Sequence, residues 1–471
     1  MLQNTTLTIL NSSDQVDSSL ISNNKTKQRI NNQSINTQYT YFFDSIGRKK
    51  MVLTADYIYY TAKKNLPFSS TTKDANGAVI SDPNERSLSN GIQSCNIGTL
   101  NTLFIFPIKN GELNYGAKFS FTGNKDDVSY SNWINDAWQI DSTQTNIFYY
   151  RENTQAAFAS YRNSYKKWDY QIGVRGEYTQ LKGGYDKTFS QLNTSYFKLY
   201  PTAYLSYRLN DDNSFSINYG KRIDRPAYFQ LNPFRWLISK YTYVIGNSTL
   251  QPSYVHNFEL SHNYKGVLNT SIFFSKEKEG ITQLNIVDTE DYYQFITIKN
   301  AYNKDIIGLN VFYFLDKIKN IESSIQGSLT YQKSKMFVSG TIPQSEGWNY
   351  YFSINNQIYI NKNKTILGSC NFSYNSSNVD NIYHYQSYSQ FDVGLRFILF
   401  NKKVSPDVSG SDLFKTNIVK STSLINGIAQ SKSYDAGVRS LNIGVRYKFG
   451  NYKLRKNDKG SGAEDEKNRL K

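Results

Sequence analysis

Hydrophobic and polar residues alternate along this chain in blocks, and the block nearest the C-terminus shows the rule most cleanly. Between Ser440 and Phe449, Leu441, Ile443, Val445, Tyr447 and Phe449 share one phase, while Ser440, Asn442, Gly444, Arg446 and Lys448 share the other. Successive strand side chains point to opposite faces, so this segment predicts a β-strand with one apolar and one wet side. Trp168 to Tyr178 follows the same rule, with Trp168, Tyr170, Ile172, Val174 and Tyr178 set against Asp169, Gln171, Gly173, Arg175 and Glu177. Tyr115 to Phe121, Phe215 to Tyr219, Phe258 to Tyr264, Phe352 to Ile360 and Phe391 to Leu399 repeat the pattern. Ten such residues at about 3.4 Å each, tilted by about 45°, rise about 24 Å, the height of the apolar band of a membrane barrel.

The connections alternate too. Short polar turns fall at Asp44 to Arg48, Lys109 to Gly111, Asn210 to Asn213, Lys265 to Gly266, Asp316 to Asn320 and Asn361 to Lys364. Longer stretches lie between them, at Ala62 to Gly91, Gln180 to Asn193, Ile223 to Ser253, Met336 to Gly347, Ser376 to Ser387 and Lys415 to Ser433. Turns short at one end and long at the other are the asymmetry of an outer-membrane barrel. The pattern predicts an all-β fold, a transmembrane antiparallel β-barrel over residues 1–449, with about 17 strands from near Asn31–Phe43 to Ser440–Phe449. Single-chain bacterial barrels have even strand numbers. An odd count predicts that the first part of the barrel lies upstream of Met1.

Composition supports strands over helices. The 471 residues include 39 Tyr and 28 Phe but only 9 Pro, and aromatics make up 15%. A mean hydropathy of −0.58 counts against a helical membrane protein, and no run approaches the roughly 18 apolar residues of a crossing helix. A barrel tolerates that value, because only every second strand residue meets lipid. Lys and Arg number 54 against 38 Asp and Glu, a net +16. They are spread over strand ends, as at Arg48, Lys49 and Lys50, rather than gathered in one stripe, which speaks against nucleic acid as a partner. Residues 450–471 are charged and lack apolar periodicity, which predicts a disordered periplasmic tail.

The stretch from Tyr219 to Leu260 reads YGKRIDRPAYFQLNPFRWLISKYTYVIGNSTLQPSYVHNFEL. Its Arg222, Arg225 and Pro226, then Leu231, Asn232, Pro233 and Phe234, then Gly246, Asn247, Leu250 and Pro252, and finally Glu259, resemble the barrel of the TonB-dependent receptor superfamily, in the outer-membrane β-barrel family of Bacteroidetes type. Tyr200-Pro201-Thr202, the Gly173 to Tyr178 segment and the tail from Gly462 to Lys467 add to the resemblance. Membership implies a 22-stranded barrel, an N-terminal plug and a TonB box, with the visible strands as the sixth through the twenty-second. Plug and TonB are then implied partners, beside outer-membrane lipid. Ser248 and Ser253 stand where relatives often carry Pro and Glu. Tyr447 and Phe449 resemble the terminal aromatic signal read by outer-membrane assembly machinery.

Physical roles for the marker residues follow from backbone chemistry. Pro226 and Pro233 remove donors and restrict the chain, so this segment should leave the sheet as a fixed loop. Gly246-Asn247 is a turn signal, and Pro252 precedes the next strand, where its missing donor is harmless. No HExxH, G-x-S-x-G, phosphate-loop or paired CxxC motif is present, so no enzyme, cofactor or metal is expected. His256 and His262 sit about 20 Å apart on one strand, too far to share a metal. The expected function is the barrel of a receptor-like importer of a siderophore, oligosaccharide or peptide, needing a plug and TonB box for transport. Arg175, Glu177, Arg396 and Arg446 would face the plug or the solute path. A passive or structural barrel, porin-like or adhesin-like, is the alternative.

Overall fold

A computed structural model describes residues 2–10, 15–80, 86–185, 192–239, 242–288, 293–315, 317–435, 437–449 and 461–470. Its wall consists of β1 (Lys27–Phe42), β2 (Lys50–Asp74), β3 (Arg86–Ile108), β4 (Gly111–Ile134), β5 (Asn146–Tyr165), β6 (Trp168–Gly184), β7 (Leu192–Arg208), β8 (Asn213–Asp224) and β9 (Ser253–Tyr264). It continues through β10 (Leu268–Asp288), β11 (Tyr293–Leu315), β12 (Ile321–Met336), β13 (Gln344–Tyr359), β14 (Ile366–Asn375), β15 (Tyr388–Phe397), β16 (Val404–Ser411) and β17 (Ser440–Tyr447). Each strand pairs antiparallel with the next in chain order. Shorter strands at Leu2–Leu10, Val16–Lys25, Ala137–Ile140, Arg235–Ser239 and Thr242–Ile245 bring the sheet to 22 strands. Among the described residues no ladder joins β1 to β17.

The two faces differ as alternation requires. Ile172 on β6 is 60% exposed, and Phe119, Ile217, Ile272, Ile307 and Ile443 likewise face outward. Such a continuous apolar exterior fits lipid. The opposite phase is buried. Ile58, Tyr60, Cys95, Ile97, Val128, Phe148, Tyr150 and Leu181 pack inside the wall against Tyr228, Leu231, Phe234 and Leu250 of the segment between β8 and β9. The larger of two core clusters among the described residues therefore lies in the lumen; the second gathers Leu284, Ala301, Tyr302, Met336, Ile382 and Ile425.

Two expectations change. Ala62 to Gly91 reads as a long loop, yet β2 and β3 run 25 and 23 residues, and their ladder continues to Ser69 opposite Arg86. At about 3.3 Å per residue and 45° tilt these strands rise about 55 Å, roughly twice the apolar band. Beyond lipid neither face needs to be apolar, so alternation vanishes while main-chain pairing persists. Lys415 to Ser433 likewise contains a hairpin, Ile418–Ile425 with Ile428–Asp435, in a separate 4-stranded sheet with Asn378–Asp380 and Tyr383–Tyr385.

The tail departs further from its expectation. Residues 450–460 and 471 lie outside the described residues, but Glu464–Asn468 form a short helix, α1, with Ala463, Glu466, Arg469 and Leu470 buried. The disordered-tail reading fails over 461–470 because their partners are lumen residues distant in sequence, which local periodicity does not register.

Candidate functional site

Strand register assembles the charged part of the lumen. Lys118 on β4 lies opposite Ala156 on β5, which lies opposite Glu177 on β6. Four residues up β4, Thr122 lies opposite Glu152. Alternation sends Lys118, Glu152 and Glu177 inward, and all three are buried. A buried charge needs a partner. Glu177 is held by Arg175 at 2.8 Å and by Arg225, which follows β8.

The described residues between Arg225 and Pro252 fold into the barrel, with Tyr228, Leu231, Phe234 and Leu250 in its core. Tyr228–Leu231 form a single 3-10 turn, with Gln230 Oε1 accepting from the Ala227 N–H at 2.8 Å. Asn232 Oδ1 accepts from Phe234 N at 3.0 Å, and Asn247 N donates to Gln230 O at 2.7 Å. Gly246 allows that last approach. A Cβ there would stand 2.2 Å from Asn232 O. Asn247 Oδ1 also accepts from Thr249 N at 3.0 Å, and Asn300 brackets Gln251 with two bonds of 2.8 Å. Thr242–Ile245 lies parallel to Gln294–Thr297 on β11.

The C-terminal segment completes the site. Arg469 Nη1 lies 2.7 Å from Glu152 Oε1, its Nε donates to Pro226 O at 2.9 Å, and its carbonyl accepts from Tyr228 N at 3.1 Å. The guanidinium rests on the Tyr228 ring, 4.3 Å from its centre. Tyr150 OH donates to the second oxygen of Glu152 at 2.6 Å, and Arg225 Nε is 3.8 Å from the first. Burial lowers the pKa of Arg225 and Arg469, but their negative neighbours together outweigh it, Glu152 and Glu177 beside Arg225 and Glu152 with Tyr228 and Tyr150 beside Arg469, and hold both above the ordinary arginine value. A cavity of about 890 Å³ adjoins these groups, lined by Lys118, Glu152, Arg175, Glu177, Arg222 and Arg225 together with residues of the tail.

Placement of the marker residues is mixed. Arg222 projects from the outer part of β8, and Arg225 and Pro226 touch the charged cluster. Leu231, Asn232 and Phe234 are buried in the lumen core, Pro252 is buried where β9 begins, and Pro233 lines a smaller cavity with Tyr185 and Arg235. Gly246 and Asn247 close the loop. Tyr447 and Phe449 lie apart from all of these, exposed on the last strand with ring centres 6.3 Å apart. The histidines serve local pairs: His256 Nδ1 lies 3.1 Å from Tyr219 OH, and His262 stacks on Phe215 at 4.6 Å.

Of the four residues expected to face the lumen, Arg175 and Glu177 line the cavity, whereas Arg396 and Arg446 are exposed and do not line it. Sequence reasoning missed Asp56 (buried on β2), Lys118, Glu152 and Arg469. The first three sit on the inward phase of their strands, so strand phase could have found them. Arg469 carries no such signal.

A wall that is apolar outside and charged within, with inward-folded outer loops, defines an outer-membrane β-barrel. The match to the outer membrane protein beta-barrel family spans residues 42–447, and the chain belongs to that family. Its fold resembles the ferric yersiniabactin uptake receptor FyuA from Yersinia pestis, with 13% identity, a TM-score of 0.54, and coverage of 95% of this chain and 74% of that one. It also resembles the ferripyoverdine receptor of the outer membrane of Pseudomonas aeruginosa, with 13% identity, a TM-score of 0.52, and coverage of 93% and 68%. No match was found among curated proteins.

Proposed function

We propose that this chain is the barrel of a TonB-dependent importer that takes up a scarce nutrient of the siderophore, oligosaccharide or peptide class through its lumen. The observation that carries this reading is the charged cavity of about 890 Å³ within the barrel, walled by Lys118, Glu152, Arg175, Glu177, Arg222 and Arg225. Side chains of both signs lining a cavity inside an apolar shell suit passage of a polar solute, whereas a barrel serving only adhesion does not require them. The fold shared with receptors described as taking up ferric yersiniabactin or binding ferripyoverdine supports the same reading. Plug and TonB are the coupling partners in this proposal. Outer-membrane lipid covers the exterior, and assembly machinery reads Tyr447 and Phe449.

The test is uptake of labelled candidate nutrients by cells with and without the gene, before and after a protonophore. Import should depend on the protein and collapse when the membrane is de-energised. Protein-dependent import that survives the protonophore would assign the chain to the passive barrels instead.

A further inference from the structure

The lumen already contains a ligand, and the chain itself supplies it. Residues 461–470 touch the wall at three separate places. At the first, Asp56 on β2 accepts from Ser461 Oγ at 2.9 Å and Gly462 N at 2.9 Å. At the second, Lys118 Nζ lies 3.0 Å from Glu466 Oε1 and 3.8 Å from Asp465 Oδ2. At the third, Arg469 is clamped by Glu152, Pro226 O and the Tyr228 ring. Ala463 and Leu470 join the apolar lumen core between these points.

The wall groups fit this occupant. Lys118 is 7% exposed, and both of its ion-pair partners among the described residues belong to the tail. Among the described residues Asp56 accepts four hydrogen bonds, two from the tail and the others from Asn36 and Thr99. Glu152 finds its nearest cation in Arg469. Buried charges stripped of their partners are costly, so these positions form a built receptor for a segment with a carboxylate in its middle and a guanidinium near its end. Asp465, Glu466, Asn468 and Arg469 line the large cavity and occupy room that a passing solute would use.

We propose that Ser461–Leu470 is an intramolecular latch, bound by Asp56, Lys118 and Glu152, that closes the solute path when docked and opens it when released. Closure rests on the lumen being that path; docking does not. Two arms separate them. A Cβ at Gly462 would lie 3.5 Å from Thr99 Oγ1, within disulfide reach. The pair T99C/G462C should therefore link under mild oxidation in outer membranes, with the joined peptides identified by mass spectrometry. S120C/T154C, opposite residues on β4 and β5, reports whether the wall is folded. Adding R469A to T99C/G462C should slow linking by about thirtyfold, the equivalent of about 2 kcal/mol for a truncated buried charge pair. Formation of the control link without the 99–462 link would overturn docking. In the second arm, linked protein in planar bilayers should conduct less than reduced protein, and deletion of 461–471 should conduct more. A link that leaves conductance unchanged would overturn closure. Silence of every form, the deletion included, would overturn closure while leaving the docked segment established by the first arm and the import reading to the protonophore test.

Discussion

Gly246 offers the most direct test of how the inward-folded segment is held. An alanine Cβ there would stand 2.2 Å from Asn232 O and 2.6 Å from Gln230 O. Both are main-chain atoms, so no side-chain rotation relieves the overlap, and contact at about 3.5 Å requires a shift of about 1 Å. That shift breaks the bond from Asn247 N to Gln230 O, now 2.7 Å. Overpacking of this kind costs about 1–3 kcal/mol, and the lost bond about 1 kcal/mol. G246A should therefore destabilise the closed segment by about 2–4 kcal/mol, which raises its open population by about 30-fold to several hundred-fold. Limited proteolysis of purified outer membranes reads this population directly when opening is fast relative to cleavage. Cleavage within residues 225–252 should accelerate by that factor while the wall keeps its heat-modifiable migration. G98A is the control, since Gly98 has nothing within 4 Å of an added Cβ, and it should stay within about 0.5 kcal/mol. Cleavage of G246A within twofold of the unaltered protein would refute the argument.

Other outcomes follow from the same geometry. Val174 is an exposed outward residue on β6, so V174R places a charge in lipid and should destabilise by about 2–4 kcal/mol near the midplane; an unchanged folded fraction on semi-native gels would contradict the lipid-facing assignment. Y447A/F449A should lower the assembled fraction in cells several-fold while leaving detergent refolding intact, and equal cellular assembly would remove these residues from the assembly signal. Arg225 bridges toward Glu177 and Glu152, so R225A strands buried carboxylates and should cost about 3–5 kcal/mol, read as loss of protease protection in the 225–252 segment. R225K should recover only part of it, because an ammonium cannot reproduce the guanidinium fork; full recovery would show that charge alone suffices.

The sequence by itself determined the periodic part of this protein. A period of two in Trp168–Tyr178 and Ser440–Phe449 names the lipid face, and the short turns mark one end of the wall. These are local properties, set by where successive side chains point. Prolines and the Gly246-Asn247 turn also announced that 223–253 leaves the sheet, though not that it turns into the lumen. Strand height was misjudged at Ala62 to Gly91, because pairing outlives alternation once the strand leaves lipid.

Only the tertiary structure decided which inward residues meet. Lys118 and Glu466 are separated by 348 positions and Glu152 and Arg469 by 317, and no spacing along the chain encodes such a meeting. The physical reason lies in the lumen. Charges buried there must find partners across the enclosed space, so a polar tail that looks like solvated sequence becomes the best complement available to the wall around it.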